Sequence, residues 1–219
     1  MRLLELFSGT GSVGNVFKDC GWDVVSLDRD MAADIQTDIM DWDYAHSGYE
    51  PGDFDAIWSS PPCTEYSRAK SVGVRDIVGA NRVVERTWDI ITHFMPMFWF
   101  MENPQTGLLK DQLMMMLVPY TDVDYCKYGL EYRKRTRIWN NLGESWVPRP
   151  LCQKDCGSMM LNGRKHVQVA QRGTVGRNED NRRRFRREEL YMIPAPLIEE
   201  IERVLRLSLS QKIFLTLLI

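Results

Sequence analysis

The fold is read from Arg2-Leu3-Leu4-Glu5-Leu6-Phe7-Ser8-Gly9-Thr10-Gly11-Ser12. An apolar run of strand length, Arg2–Phe7, ends in a glycine-bearing turn, and Val13–Asp19 beyond it has helical character. Working outward, Asp23–Leu27 reads as a second strand closed by Asp28, Asp34–Thr37 as a third, and Phe54–Ser59 as a fourth that ends at two prolines. Val74, Ile77, Val78, Val84, Trp88 and Ile91 recur at helical spacing and predict a long amphipathic helix. Met97–Met101 is a buried-looking strand stopped by Glu102-Asn103-Pro104. Strands alternating with helices predict an α/β fold with a mostly parallel, doubly wound sheet. Such sheets bind ligands outside the carboxyl ends of their strands, and each chemically interesting motif here falls just after a predicted strand.

The first turn, Phe7-Ser8-Gly9-Thr10-Gly11-Ser12, lets the backbone turn tightly and approach a ligand closely. No Gly-Lys-Ser/Thr follows, so it is not a phosphate-binding P-loop. Asp28, at the tip of the second strand, is placed to accept hydrogen bonds from ribose hydroxyls. Asp38-Ile39 follows the third strand, where a carboxylate can take the exocyclic amine of adenine. Turn, ribose acid and adenine acid in that order describe a nucleoside cofactor without a pyrophosphate, for which S-adenosyl-L-methionine fits better than NAD. At the other end, Cys63 follows Pro61-Pro62, whose rings hold the local backbone, as a nucleophile requires. A small buried cysteine is the plainer alternative. Glu102, at the end of the next strand, sits beside the rigid Asn103-Pro104 turn, so a thiol and a carboxyl at adjacent strand ends allow nucleophilic attack with proton delivery. Arg133-Lys134-Arg135-Thr136-Arg137 then alternates along a predicted strand, with Arg135 and Arg137 on one face.

Composition bounds these readings. A chain of 219 residues with 44% hydrophobic and 26% charged residues suits one sizeable globular domain with a small appendage. The net charge of −2 conceals a polarity: residues 1–65 carry thirteen acids and three bases, whereas residues 131–190 carry fifteen bases and seven acids. The acidic front suits a cationic or nucleoside-bearing cofactor, and the basic back suits a phosphate backbone or simply a solvated surface. Five irregularly spaced cysteines do not suggest a disulfide framework. Strand-like sequence begins at Arg2, which leaves no room for a signal peptide. Leu205–Ile219 is too short and too polar for a membrane span, so the expected setting is intracellular: cytoplasm, or nucleus in a eukaryotic host.

In order, spacing and type these motifs resemble those of the DNA cytosine-5 methyltransferases. Leu4–Gly11 resembles the cofactor motif, Pro61–Ser67 the catalytic loop, Met101–Pro104 the Glu-Asn motif and Tyr128–Trp139 the arginine motif. Ile193–Ile201 resembles the C-terminal motif that returns beside the cofactor, and Asn81-Arg82 is a weak remnant of another. The resemblance implies a Rossmann-like S-adenosyl-L-methionine-dependent methyltransferase fold acting on double-stranded DNA. It implies that Cys63 adds to C6 of a flipped-out cytosine and that Glu102 protonates N3. Asn103 would hold the loop that positions both, Arg135 would contact the base near O2, and Arg137 would support the site. Phe7, Ser8, Gly9, Gly11, Asp28, Asp38, Ile39 and Pro62 would surround the cofactor. A tRNA-acting enzyme of the same branch and a non-catalytic DNA-binding subunit on this scaffold are the alternatives.

The sequence departs from the family pattern at Ser12, where a third glycine is usual, at Thr64, where a glutamine is usual, and at Tyr132-Arg133, around one extra residue. The expected division is a catalytic domain over 1–140, a small target-recognition insert over 141–190, and a C-terminal helix and tail over 191–219. Only about fifty residues remain for the insert, so specificity is short, relaxed or supplied by a partner protein, and the chain is expected to act as a monomer. Within the insert Cys152, Cys156 and His166 are zinc-type ligands without an evident fourth, although Cys126 can approach; no metal is assigned from the sequence. Asn181-Arg182-Arg183-Arg184-Phe185-Arg186-Arg187 is the leading DNA-contact segment, and Met114-Met115-Met116 reads as core filler.

Overall fold

The computed structural model describes residues 1–170 and 183–216, apart from the side chains of residues 187 and 211–216. Among these, seven strands form one sheet: β1 (Arg2–Leu6), β2 (Asp23–Asp28), β3 (Ile35–Gln36), β4 (Ala56–Ser59), β5 (Phe98–Pro104), β6 (Tyr120–Asp124) and β7 (Arg135–Asn140). Their order is β3-β2-β1-β4-β5-β7-β6; the first five are parallel, and β7 runs antiparallel to both its neighbours. The order reverses between β1 and β4, which opens a crevice at the carboxyl ends of these strands.

Side chains alternate between the two faces. Leu3, Val24, Trp58 and Phe100 pack with α1 (Gly14–Asp19) and α4 (Ala195–Thr216), whereas Leu4, Leu6, Val25 and Ile57 pack with α2 (Ile77–Phe94). Burial on both faces explains why these strands read as continuous apolar runs. The C-terminal helix returns to the start of the chain through Leu197, Ile198, Ile201 and Leu205, all fully buried. Its Glu202 accepts from the Trp22 indole at 2.9 Å inside the core. Ser12 Oγ accepts from the Ile193 N–H at 3.2 Å. The serine found where the family usually has glycine therefore ties the C-terminal segment to the first turn.

Three expectations change. The long helix begins later than predicted, because Asp76 caps it by accepting from the Gly79 N–H at 2.8 Å. Val74 lies outside it and Val78 faces solvent (94% and 67% exposed), so the buried face is carried by Val84, Thr87, Ile90, Ile91 and Phe94. Of the three methionines only Met115 is buried, since the segment turns in a short 3₁₀ helix that leaves Met116 exposed. Within the basic segment, Asn181 and Arg182 lie outside the described residues. Arg183 is ion-paired with Glu189, and Phe185 is buried against Tyr132, with ring centroids 4.8 Å apart. Among the described residues no helix is long and apolar enough to cross a membrane.

Candidate active site

The chain leaves β1 through Phe7, whose φ of 59° is strained for a residue with a side chain, and continues through Gly9 and Gly11, also at positive φ. The turn is tied to the end of β2. Ser8 N–H donates to Leu27 O at 3.1 Å, and Gly9 N–H donates to Asp28 Oδ2 at 2.8 Å. Asp28 Oδ1 accepts from the N–H groups of Asp30 and Met31, so this carboxylate also holds the turn in shape. Asp38 accepts from Met40 N–H through Oδ1 (2.9 Å), and its Oδ2 lies 3.2 Å from Arg29 Nη1. An adenine amine at Asp38 must therefore share or displace Arg29.

One acid at this end was not singled out from the sequence. Glu5 is buried, and its pKa is pushed up to about 7 by desolvation, against backbone hydrogen bonds from Gly14 and Val13. A Cβ on Gly14 would run into the Glu5 carboxylate, which explains a glycine at the start of α1. An acid inside an apolar strand, followed by glycine at a helix start, is the signal that was available.

At the other end, Cys63 follows β4 and Glu102 lies near the end of the adjacent β5. Asn103, buried beside Glu102, donates through Nδ2 to Pro61 O at 2.9 Å and so links the two strand ends. Glu102 Oε1 accepts from Tyr125 OH at 3.1 Å and lies 3.9 Å from Lys134 Nζ. Tyr125 is fully buried, and Lys134 also donates to Leu190 O at 3.0 Å. Neither was singled out from the sequence, because burial and strand register bring them here. Burial pushes the Cys63 thiol above its ordinary value, the charge of Glu102 pushes it further, and Lys134 opposes both.

Asp124, fully buried at the end of β6, organises the arginines. It accepts from Arg135 through both oxygens (3.1 and 2.8 Å), from Arg133 Nε (3.2 Å) and from Cys152 N–H (2.9 Å). Burial alone would raise its pKa, but Arg135, the Cys152 amide and Arg133 outweigh it and hold the carboxyl below the usual range. Arg137 is not at the same place. Its register partner Asp122 takes it at 2.7 and 2.9 Å, it stacks 3.4 Å from the Tyr120 ring centroid, and it does not line the cavity. Arg137 instead ties β7 to the edge strand β6, away from the cavity.

All the other predicted site residues except Asn103 and Gly11 line one cavity of about 990 Å³. This volume lies near the upper end for small-molecule sites, enough for a nucleoside cofactor and a second ligand. The cavity is polarised. Glu5, Asp28, Asp30 and Asp38 line one end, offset in part by Arg29, and Arg133, Lys134 and Arg135 line the other, offset in part by Glu102 and Glu188. The acidic end suits hydroxyls and a cation and repels a pyrophosphate, so the donor set fits S-adenosyl-L-methionine.

A doubly wound sheet with a thiol and a carboxyl at adjacent strand ends, beside a nucleoside-type pocket, defines a methyltransferase class of site. No family model matches the chain. It is 34% identical over 223 residues to the probable DNA (cytosine-5)-methyltransferase of frog virus 3 (isolate Goorha), covering 92% of this chain and 98% of that protein. The chain belongs to the DNA (cytosine-5)-methyltransferase family. A presumed DNA modification methyltransferase encoded within an E. coli prophage shares the fold, with a TM-score of 0.51 and 17% identity. That match covers 69% of this chain but only 52% of the solved structure, so the present chain spans about half its length.

Proposed function

We propose that the protein methylates C5 of cytosine in double-stranded DNA, using S-adenosyl-L-methionine, through a covalent bond between Cys63 and C6 of a flipped-out base. The observation that carries this reading is the convergence of Cys63, Glu102, Lys134 and Arg135 on one cavity, with Asn103 bonded to Pro61 to hold the strand ends together. When bound, the cofactor supplies an electrophilic methyl group. Phe7, Ser8 and Gly9 shape its pocket with Ile39 and Pro62, Gly11 sets the turn, and Asp28 and Asp38 face its nucleoside polar groups.

C5 of cytosine is a poor nucleophile until a thiolate adds to C6. Glu102, once it carries a proton in the substrate complex, donates it toward N3, so that the ring's developing charge is neutralised and C5 becomes enamine-like, and takes it back when the adduct collapses. Arg135, held by Asp124, faces the base near O2. After methylation, loss of the C5 proton re-forms the C5–C6 double bond and expels Cys63. The target carbon is stacked inside a duplex, so the base must be extruded at a cost of a few kcal/mol. Residues 141–190 would form the insert that reads the target, on a catalytic body of 1–140 closed by 191–219.

The test is nucleoside mass spectrometry after incubation with labelled cofactor and either duplex DNA or tRNA. 5-Methylcytosine in DNA that disappears in Cys63→Ala is the expected result, together with a covalent complex on 5-fluorocytosine duplex. Label confined to tRNA overturns the substrate. Neither product nor adduct overturns the catalytic reading in favour of a binding subunit.

A further inference from the structure

Outside the catalytic cavity, three thiols and an imidazole converge. Cys126 lies in the 3₁₀ turn Tyr125–Tyr128 that follows β6, and Cys152 and Cys156 bracket a tight loop. His166 sits opposite Met159 in an antiparallel bridge, flanked by hydrogen bonds from Met160 N–H to Lys165 O (2.9 Å) and from Val167 N–H to Ser158 O (2.8 Å). The four ligand atoms all lie within 4.8 Å of one another. Cys152 Sγ is 3.5 Å from His166 Nε2. Zn–S and Zn–N bonds of about 2.3 and 2.0–2.1 Å at tetrahedral angles give an S···N edge of about 3.5 Å and an S···S edge of about 3.8 Å. The cluster thus has the size of a metal-binding tetrahedron.

Two further observations favour a metal over incidental thiol packing. Lys154, between Cys152 and Cys156, sits at φ 71°, strained for a lysine, in the turn that brings both thiols into the cluster. Between residues 147 and 170, moreover, Cys152 is the only buried residue. That segment nevertheless folds into a defined loop and bridge without an apolar core, so another source of order is needed.

We propose that Cys126, Cys152, Cys156 and His166 form a closed structural zinc(II) site that staples the insert to the end of β6. A soft S₃N set with all four positions filled by protein selects zinc for structure rather than catalysis. Cys126 stands two residues after Asp124, which holds Arg135, and next to Tyr125, which holds Glu102. The metal therefore fixes the insert against the strand end that organises the active site, and the site does not depend on the proposed reaction.

The test uses the full chain, purified without chelator from zinc-supplemented cells, with metal content measured by mass spectrometry. About one zinc per chain is expected. Cys156→Ser and His166→Ala should lose it, whereas His166→Cys, which keeps four soft ligands, and Cys20→Ser, outside the cluster, should retain it. Cobalt(II) exchanged into the site should show thiolate charge-transfer absorption and tetrahedral visible bands. Chelation should open the 147–170 segment to protease while the sheet stays folded by circular dichroism. A wild-type protein that purifies without zinc and shows no such cobalt absorption overturns the proposal. So does a disulfide among these cysteines, detected by differential alkylation.

Discussion

Cys63 is held in the protein as a thiol that resists ionisation, since burial and the Glu102 charge favour its protonated form and outweigh Lys134 and a local backbone hydrogen bond. Nucleophilicity must therefore be produced when substrate arrives, and these two neighbours control it in opposite directions. Glu102→Gln should reduce methyl transfer by about 10²-fold or more, the usual range for a lost general acid. It should also speed iodoacetamide alkylation of Cys63 at mildly alkaline pH, because a charge that raises the thiol pKa has gone. Lys134→Met should slow the same alkylation. Following the Cys63 peptide by mass spectrometry across pH checks both; an alkylation profile unmoved by Glu102→Gln would sink the electrostatic coupling. Cys63 and Glu102 were legible in the sequence because each follows an apolar run and stands within two residues of a proline. Lys134 and Tyr125 were not, because they reach Glu102 through the register of β6 and β7 and through burial of a ring, neither of which is a local pattern.

The element that best shows how local chemistry fixes a site is the β1–α1 unit. Helix α1 has no side-chain cap of its own. Glu5, reaching from β1, accepts instead from the Val13 and Gly14 amides, at the cost of burying a carboxyl whose pKa rises from 4.5 to about 7. The unfolded chain releases this proton first. The stability contribution is therefore whole below about pH 4.5, declines as pH rises toward 7, and is absent above it. At about 1.4 kcal/mol per pKa unit the full effect is on the order of 3 kcal/mol. Glu5→Gln should consequently raise urea stability at pH 8 by about 1–3 kcal/mol and leave it nearly unchanged at pH 4.5. Equal gains at both pH values would show that Glu5 is not protonated in the fold. Elements themselves were legible in proportion to their apolar content. The parallel strands β1, β2, β4 and β5 are buried on both faces and announce themselves. The edge strand β6, Tyr-Thr-Asp-Val-Asp, carries acids that answer arginines of β7 and reads as loop until its partner is known.

At the scale of the whole molecule the basic surplus of residues 131–190 is smaller in effect than in number. Arg133 and Arg135 share Asp124, which offsets one of their two charges, while Arg137 is paired with Asp122, Arg149 with Glu200 and Arg183 with Glu189. Among the described residues of the insert, Lys154, Arg164, Lys165 and Arg186 are exposed and have no acidic partner for their side chains. Lys154, Arg164 and Lys165 lie on the loop and bridge that carry Cys152, Cys156 and His166, on the same body that the zinc would hold in place. If this surface meets the phosphate backbone, each cation releases counterions on binding, and the logarithm of affinity falls with the logarithm of salt by about 0.9 per contact. Replacing Lys154, Arg164 and Lys165 together with alanine should therefore flatten that slope by about 2–3 and weaken binding most at low salt. Arg149→Ala, which removes a cation already paired with Glu200, should leave the slope nearly unchanged. Fluorescence anisotropy of a labelled duplex, titrated at several salt concentrations, measures both. A triple variant with the parental slope would move the DNA-facing surface off the loop and bridge that carry Cys152, Cys156 and His166, and would return these three cations to the role of a solvated surface.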